Sequence, residues 1–235
     1  MQLYYSDNII NGKIILSEDE AHHCLTVLRK RRGDVIDVVD GNGVWYSTII
    51  ENENIKECIL KIISQKNNYG KTDHHIHIAI SPTKSHDRLE WFVEKAVEIG
   101  IQEITFLNTS NSHRKDVKMS RINKVALSAM KQSFKAYLPS FNPIVPINDF
   151  ISKANMENKY IGCFDEDRSL LQKVVPANQE YCVIIGPEGG FSLDEIDFAK
   201  EYGFQTVSLG SSRLRTETAA IVACHTFNII NEKIS

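Results

Sequence analysis

Two glycine-bearing segments near the carboxyl end carry residue types suited to holding a ligand. The first is Gly186-Pro187-Glu188-Gly189-Gly190, and the second is Leu209-Gly210 followed by Leu214-Arg215-Thr216-Glu217-Thr218-Ala219. Glycine lets backbone N–H and C=O groups come close to a flat or charged ligand. Either loop alone is a weak signal, because ordinary strand-to-helix turns also favour glycine. Two such loops, one carrying Arg-Thr-Glu-Thr, are more than punctuation.

The elements around these loops follow from local pattern. Tyr181–Ile185 is a short apolar run, as in a buried strand. Ser192 and Glu195 have capping-box spacing, so a helix starts there, with Leu193, Ile196 and Ala199 at helical spacing and Gly203 as its stop. Thr206–Leu209 reads as a second strand. A final helix runs from Thr216 to Asn231, with Ala220, Ala223, Phe227 and Ile230 as its apolar stripe. Both glycine loops then lie at one end of a parallel sheet, where α/β folds bind ligands.

The same alternation begins at His75. Ile76–Ile80 is a strand, residues 81–84 a loop, and Asp87 with Glu90 caps a helix striped by Leu89, Phe92, Val93, Ala96 and Val97. Gly100 ends it, and Ile104–Leu107 is the next strand. Ser120–Leu138 reads as one helix, with Ile122, Val125, Ala129, Met130, Phe134 and Tyr137 on one side. Arg121, Lys124, Lys131 and Lys135 fall within a stripe of roughly 80° on the other, bordered by Gln132. Such a row suits a phosphate backbone and equally suits a solvated face. Residues 139–146 read as a proline-bearing loop, Tyr160–Phe164 as a strand and Asp165–Ser169 as a charged loop.

Residues 1–70 are β-rich. Val35–Val39 and Val44–Ile50 flank Asp40-Gly41-Asn42-Gly43, a hairpin signal because the turn needs positive φ. Cys58–Ile63 is a third strand, with weaker ones at Leu3–Tyr5 and Lys13–Leu16. Glu18–Lys30 can form one helix with Ala21, Cys24, Leu25 and Leu28 on a common face. Short strands with one helix suggest a small barrel, and the polar stretch Gln65–Asp73 serves as linker to a second domain at 74–235.

Composition bounds the partners. The chain has 235 residues, 42% of them hydrophobic, and a net charge of −3. No apolar run is long enough for a membrane span, and Met1–Gly12 has no secretory pattern. Five scattered cysteines without a Cys-x-x-Cys fit reduced thiols in a cytoplasmic protein, not a zinc site or disulfide frame. Basic charge is local: Arg29-Lys30-Arg31-Arg32, and seven Lys or Arg against Asp116 alone between Arg114 and Lys135. No Gly-x-Gly-x-x-Gly or Walker loop follows a strand, which disfavours a nucleotide-binding oxidoreductase.

The run Ile-Gly-Pro-Glu-Gly-Gly-Phe-Ser at 185–192, Leu-Gly at 209–210 and Leu-Arg-Thr-Glu-Thr-Ala at 214–219 resembles the RsmE family of ribosomal RNA methyltransferases. His22–Asp34, and Lys84 with Lys95-Ala96-Val97-Glu98-Ile99-Gly100, resemble it further upstream. The resemblance implies an N-terminal PUA-like barrel that helps hold RNA, and a C-terminal SPOUT domain with a parallel sheet and a trefoil knot. It also implies a homodimer, S-adenosyl-L-methionine as methyl donor, and N3 of one uridine of 16S rRNA in the small ribosomal subunit as acceptor. No metal is required.

Carried onto this sequence, the resemblance places the cofactor at Ile185, Gly186, Pro187, Glu188, Gly189, Gly190, Leu209, Gly210, Leu214, Arg215, Thr216 and Ala219. Uracil N3 carries a proton at neutral pH, so its removal or the stabilisation of the anion must be assisted. Arg215 is the candidate for that stabilisation. Glu217 is a candidate base, or simply a carboxylate favoured by the helix dipole. RNA contacts are expected from Arg29, Arg31, Arg32, Arg114, Arg121, Lys124, Lys131, Gln132 and Lys135. Two departures fall among RNA-facing positions: Asn111 and Lys135 stand where the family often has arginine, and lysine loses the bidentate fork. The alternatives are a methyltransferase of the same class acting on another RNA, and a non-catalytic RNA-binding or ribosome-assembly protein.

Overall fold

The computed structural model describes residues 2–164 and 168–232. The chain divides into two compact units, one of Met1–Lys71 with Leu127–Leu138 and one of Thr72–Ala126 with Pro139–Ser235.

The first unit holds β1 (Leu3–Tyr5), β2 (Ile9–Ile10), β3 (Lys13–Leu16), α1 (Glu18–His22), β4 (Val35–Val39), β5 (Trp45–Ile50) and β6 (Cys58–Lys66). They form one six-stranded sheet in the order β1-β4-β5-β6-β3-β2. Ser6 Oγ, just past β1 at one end of the order, donates to Ile15 O of β3 near the other (2.6 Å), which curls the sheet toward a barrel. Tyr4, Ile14, Leu16, Val38 and Leu60 fill it, with Ala21 and Leu25 as a plug. In the β4–β5 hairpin, Asp40 Oδ1 accepts from the Asn42 and Val44 amides. Gly43 (φ +95°) lies so close under the Tyr137 ring that a Cβ there would overlap it.

The single helix expected at Glu18–Lys30 is instead α1 followed by a π-helical turn at His23–Val27, with Arg29 at φ 54° ending it. The wider turn changes the phase of the side chains, so Ala21, Cys24 and Leu25 are buried while Leu28 rotates outward.

The second unit contains β7 (His75–Ile80), α2 (His86–Ile99), β8 (Glu103–Asn108), the start of α3 (Met119–Gln132), β9 (Ser140–Pro146), α4 (Ile147–Lys153), β10 (Asn158–Gly162), β11 (Ser169–Leu170), α5 (Leu171–Val174), β12 (Glu180–Ile185), α6 (Leu193–Glu201), β13 (Gln205–Ser208) and α7 (Thr216–Asn231). The sheet is parallel throughout, in the order β11-β13-β10-β12-β7-β8-β9. One layer of helices includes α4 and α6, over Ala79, Leu107, Ile161, Cys182 and Ile184. Helix α7 packs on α2, β7 and β12. Strand β13 lies between β10 and β11, which are consecutive in the chain, so the last strand enters a slot already spanned by an earlier connection.

Three local expectations change. Residues 140–146 are a strand, not a loop; β9 is the sheet edge, where Pro143 and Pro146 leave no inner ladder bond unmade. Helix α2 starts at His86 after Ser85, so Asp87 is no cap; Glu90 and Asp87 turn to Arg121 (2.6 and 3.8 Å). Helix α3 stops at Gln132 because Phe134 takes φ 54°, which leaves Lys135 to Leu138 off the helix. Of the charged loop expected at Asp165–Ser169, residues 165–167 lie outside the described residues, and Ser169 begins β11.

Candidate functional site

The carboxyl ends of β10, β12 and β13 open into a crevice of about 870 Å³. Around it stand Ile185, Gly186, Pro187, Glu188, Gly189, Gly190, Leu209, Gly210, Leu214, Arg215, Thr216 and Ala219, all twelve residues expected at a cofactor site. Two sequence-distant loops are brought together because three parallel strands end at the same edge. Thr216 Oγ1, at the first turn of α7, donates to Gly186 O (2.9 Å) and fastens one loop to the other. Gly190 closes a tight turn on Pro187 O (2.9 Å) at φ +73°, a conformation that side chains rarely adopt.

The glycine loop is clamped from β7 and β8. Lys84 N donates to Glu188 Oε1 (3.1 Å), and Asn111 Nδ2 donates to Gly190 O (3.0 Å). Buried Glu195 uses both oxygens: Oε1 accepts from Ser110 N (2.7 Å), and Oε2 accepts from Ser192 N (2.8 Å) in the expected capping box. Asn111 therefore spends its amide on the glycine turn.

The crevice has a mixed character. Ile185, Val207, Leu209, Leu214 and Ala219 give apolar walls, and Arg213 and Arg215 are exposed at its margin. Glu188 Oε2 is buried without a hydrogen-bond partner among the described residues. An unpaired carboxylate oxygen in such a place is satisfied by a donor or cation on a ligand. The arrangement suits a molecule with a flat apolar body and a positive group, next to an anion met by arginine.

Glu217 is elsewhere. It is buried and outside the crevice lining, with Oε1 3.7 Å from Arg88 Nε and Oε2 unpaired. The structure does not bring it together with Arg215 in the crevice. Sequence reasoning missed Phe164, Phe191, Leu193, Ile196 and Arg213, which also line the crevice. Leu193, expected with Ile196 and Ala199 in the apolar stripe of α6, is instead 79% exposed at the crevice.

The basic candidates are scattered in role. Arg29, Arg31 and Arg32 are exposed, although Arg31 Nη1 also donates to Leu25 O (3.2 Å). Arg114 Nε donates to Lys84 O (3.0 Å) and its Nη1 meets His86 Nε2. Arg121 is ion-paired to Glu90, and Lys131 to Glu20, so neither stands alone in the expected cationic row. Lys124 and Gln132 are exposed, and Lys135 is half-buried beyond the end of α3. Among the described residues, no cluster of His, Cys, Asp and Glu could hold a metal, and no helix is long and apolar enough to cross a membrane.

Comparison with known proteins fits this picture. An RNA methyltransferase domain matches residues 71–228, and an RNA methyltransferase PUA domain matches residues 16–63. The chain is 33% identical to the ribosomal RNA small subunit methyltransferase E of Mesomycoplasma hyopneumoniae, over 88% of this chain and 90% of that one. Its structure is similar to a probable rRNA-methyltransferase from Porphyromonas gingivalis (TM-score 0.93, 37% identity, 98% of both chains). It is also similar to the ribosomal RNA small subunit methyltransferase E of Neisseria gonorrhoeae bound to S-adenosyl methionine (TM-score 0.87, 26% identity, 98% of both chains). With this crevice and these matches along nearly its whole length, the chain belongs to the ribosomal RNA small subunit methyltransferase E family, a PUA domain joined to an RNA methyltransferase domain.

Proposed function

We propose that this protein methylates N3 of a uridine of 16S rRNA in the small ribosomal subunit, with S-adenosyl-L-methionine as donor. The observation that carries the reading is the crevice between the two glycine loops, with its apolar walls and the orphaned Glu188 oxygen. Those residues fit the cofactor: the walls suit adenosine, and the free carboxylate oxygen suits its positive charge. When bound, the cofactor supplies an electrophilic methyl on a sulfonium.

The chain's own residues have two tasks. Loop 186–190, fastened by Thr216, Lys84 and Asn111, fixes the backbone that faces the ligand. Arg215, at the N-cap position of α7 and exposed beside the crevice, is positioned to stabilise the negative charge that uracil gains as N3 loses its proton. N3 lies on the pairing edge, so the target must be unpaired and turned out before it can enter. Domain boundaries at 1–70 and 74–235 fit a division in which the barrel, through Arg29, Arg31 and Arg32, contacts phosphates. Segment 127–138 belongs compactly with the barrel unit.

Two finer features belong to the same reading. The insertion of β13 between β10 and β11 supports a trefoil knot of the SPOUT kind. Exposed Trp91 on α2 and exposed Ile229 on α7, two helices packed together, support a homodimer that involves these helices in a cytoplasmic enzyme. The test is nucleoside mass spectrometry of 16S rRNA from cells lacking the protein, with methyl transfer to their small subunits in vitro. Loss of 3-methyluridine, restored by the purified protein, is the expected result. Its persistence, with no label entering the subunit, overturns the assigned substrate.

A further inference from the structure

A second cavity, of about 610 Å³, opens at the carboxyl ends of β8 and β9. It is separated from the first by the opening turn of α6. Leu193 and Ile196 face the cofactor crevice, whereas Ser192, Asp194, Glu195 and Phe198 face the second cavity. Its remaining walls include Asn108, Asn148 and Lys115. Asn108 Oδ1 has no hydrogen-bond partner among the described residues. Exposed Asn148 stands at the start of α4, and exposed Lys115 comes from the loop after β8.

This set has a recognisable chemistry. Two side-chain amides each offer a donor and an acceptor, as the pairing edge of a base requires. Phe198 offers a ring for stacking, and Lys115 a cation for a phosphate. The wall between the two cavities is one helix thick, about 10–12 Å with side chains. A uridine turned out of its stack leaves the adjoining bases unstacked on one side, and a strand that delivers it to one cavity brings its neighbours to the other. We propose that this second cavity takes a nucleotide of the substrate strand one or two positions from the methylated uridine, read by Asn108 and Asn148 and held by Lys115. The proposal rests on the RNA methyltransferase reading above.

The test uses the full-length protein with a short single-stranded RNA that contains the target uridine and one 4-thiouridine placed in turn at each flanking position. Photocross-links are mapped by peptide mass spectrometry. Cross-links from a position one or two nucleotides away are expected on the peptides carrying Asn148 or Phe198, and they should disappear in Asn148→Trp, which fills the cavity. In the same variant, methylation kcat/KM for small subunits should fall at least tenfold, while S-adenosylmethionine affinity by calorimetry is unchanged. Asn148→Gln, which keeps the amide, should recover most of the loss. Cross-links that map elsewhere, or an Asn148→Trp protein that cross-links and methylates as wild type does, overturn the proposal. The cross-linking readout does not depend on turnover. A wild-type protein that cross-links through this cavity yet methylates no RNA would refute the enzymatic reading and leave the nucleotide site standing.

Discussion

Arg215 and Glu217 are two residues apart in sequence, and the start of α7 separates their surroundings. Arg215 precedes the helix and stays exposed at the crevice. Glu217 is in the first turn, points into the α2 side and approaches Arg88. Replacing Arg215 with Ala should lower kcat about a hundredfold, the usual cost of one donor aimed at developing negative charge. S-adenosylmethionine affinity should change less than about threefold, because the fastened loop backbone is untouched. Equal losses in kcat and affinity would remove Arg215 from the charge-stabilising role. Glu217→Gln should behave in the opposite way. It weakens a buried carboxylate's pairing with Arg88, so thermal stability should drop, while the pH dependence of kcat keeps its shape. A pH profile that loses its acidic limb in this variant would restore Glu217 as the proton acceptor. The sequence showed the spacing of both residues but could not show which side of a helix start each would take.

At the scale of elements, one polar network in the sheet makes stability depend on pH. His75 and His77 on β7, Glu103 and Thr105 on β8 and Asn142 on β9 share one sheet face. Glu103 accepts from His75 Nε2 (3.1 Å) and Asn142 Nδ2 (2.7 Å), and chiefly the His75 bond holds its carboxyl down at about 2. His77 is buried, with Nε2 2.7 Å from Thr105 Oγ1 and Nδ1 3.6 Å from Glu103, too far for a hydrogen bond. Burial outweighs the nearby carboxylate and pushes His77 down to about 4, so it is neutral at physiological pH and makes no ion pair. Below its ordinary value near 6.5 the unfolded chain takes up a proton that the native chain refuses. Stability is therefore full above about pH 6.5 and is lost as pH falls toward 4, by on the order of 3 kcal/mol from His77. Glu103 adds a loss of the same sign between about 4.5 and 2. Urea denaturation at pH 7.5, 5.5 and 4.5 measures the slope, and His77→Gln should flatten it between 6.5 and 4.5. A wild-type slope in that variant would place the acid sensitivity elsewhere. None of this was legible in the sequence, because alternate positions on neighbouring strands meet only once the register is set. What was legible had local causes: the Ser192–Glu195 cap, the Asp40–Gly43 hairpin and the apolar run of β12 each carry their own signal. Strand β9 was not, since two prolines argue against a strand unless its edge position is known, and the π turn after His22 has no composition that announces it.

For the whole molecule, net charge and exposed apolar surface point to different partners. The chain is acidic overall, yet Arg29, Arg31, Arg32 and Lys124 are exposed. RNA affinity should accordingly come from few phosphate contacts and weaken only moderately with salt. The proposed self-association would draw on other residues. Helix α7 buries Ala220, Ala223, Cys224 and Phe227 against its own unit and still exposes Ile229 at 58%, while Trp91 on the adjoining α2 is 44% exposed. Isolated exposed apolar residues need no explanation, but two large ones, one near the start of α2 and one near the end of α7, are positions at which the proposed second copy of the chain could be met. A two-fold contact would repeat each of them across the interface, so a single substitution is felt twice. Ile229→Arg should therefore convert a dimer into a monomer at micromolar concentration, a rise of about a hundredfold or more in the dissociation constant. Sedimentation velocity reads the state directly, and circular dichroism checks that the fold is kept. If the monomer still binds S-adenosylmethionine and RNA but no longer transfers methyl, the partner contributes to the site. If it transfers methyl at the wild-type rate, each chain holds a complete site. A variant that remains dimeric would move the interface away from α2 and α7.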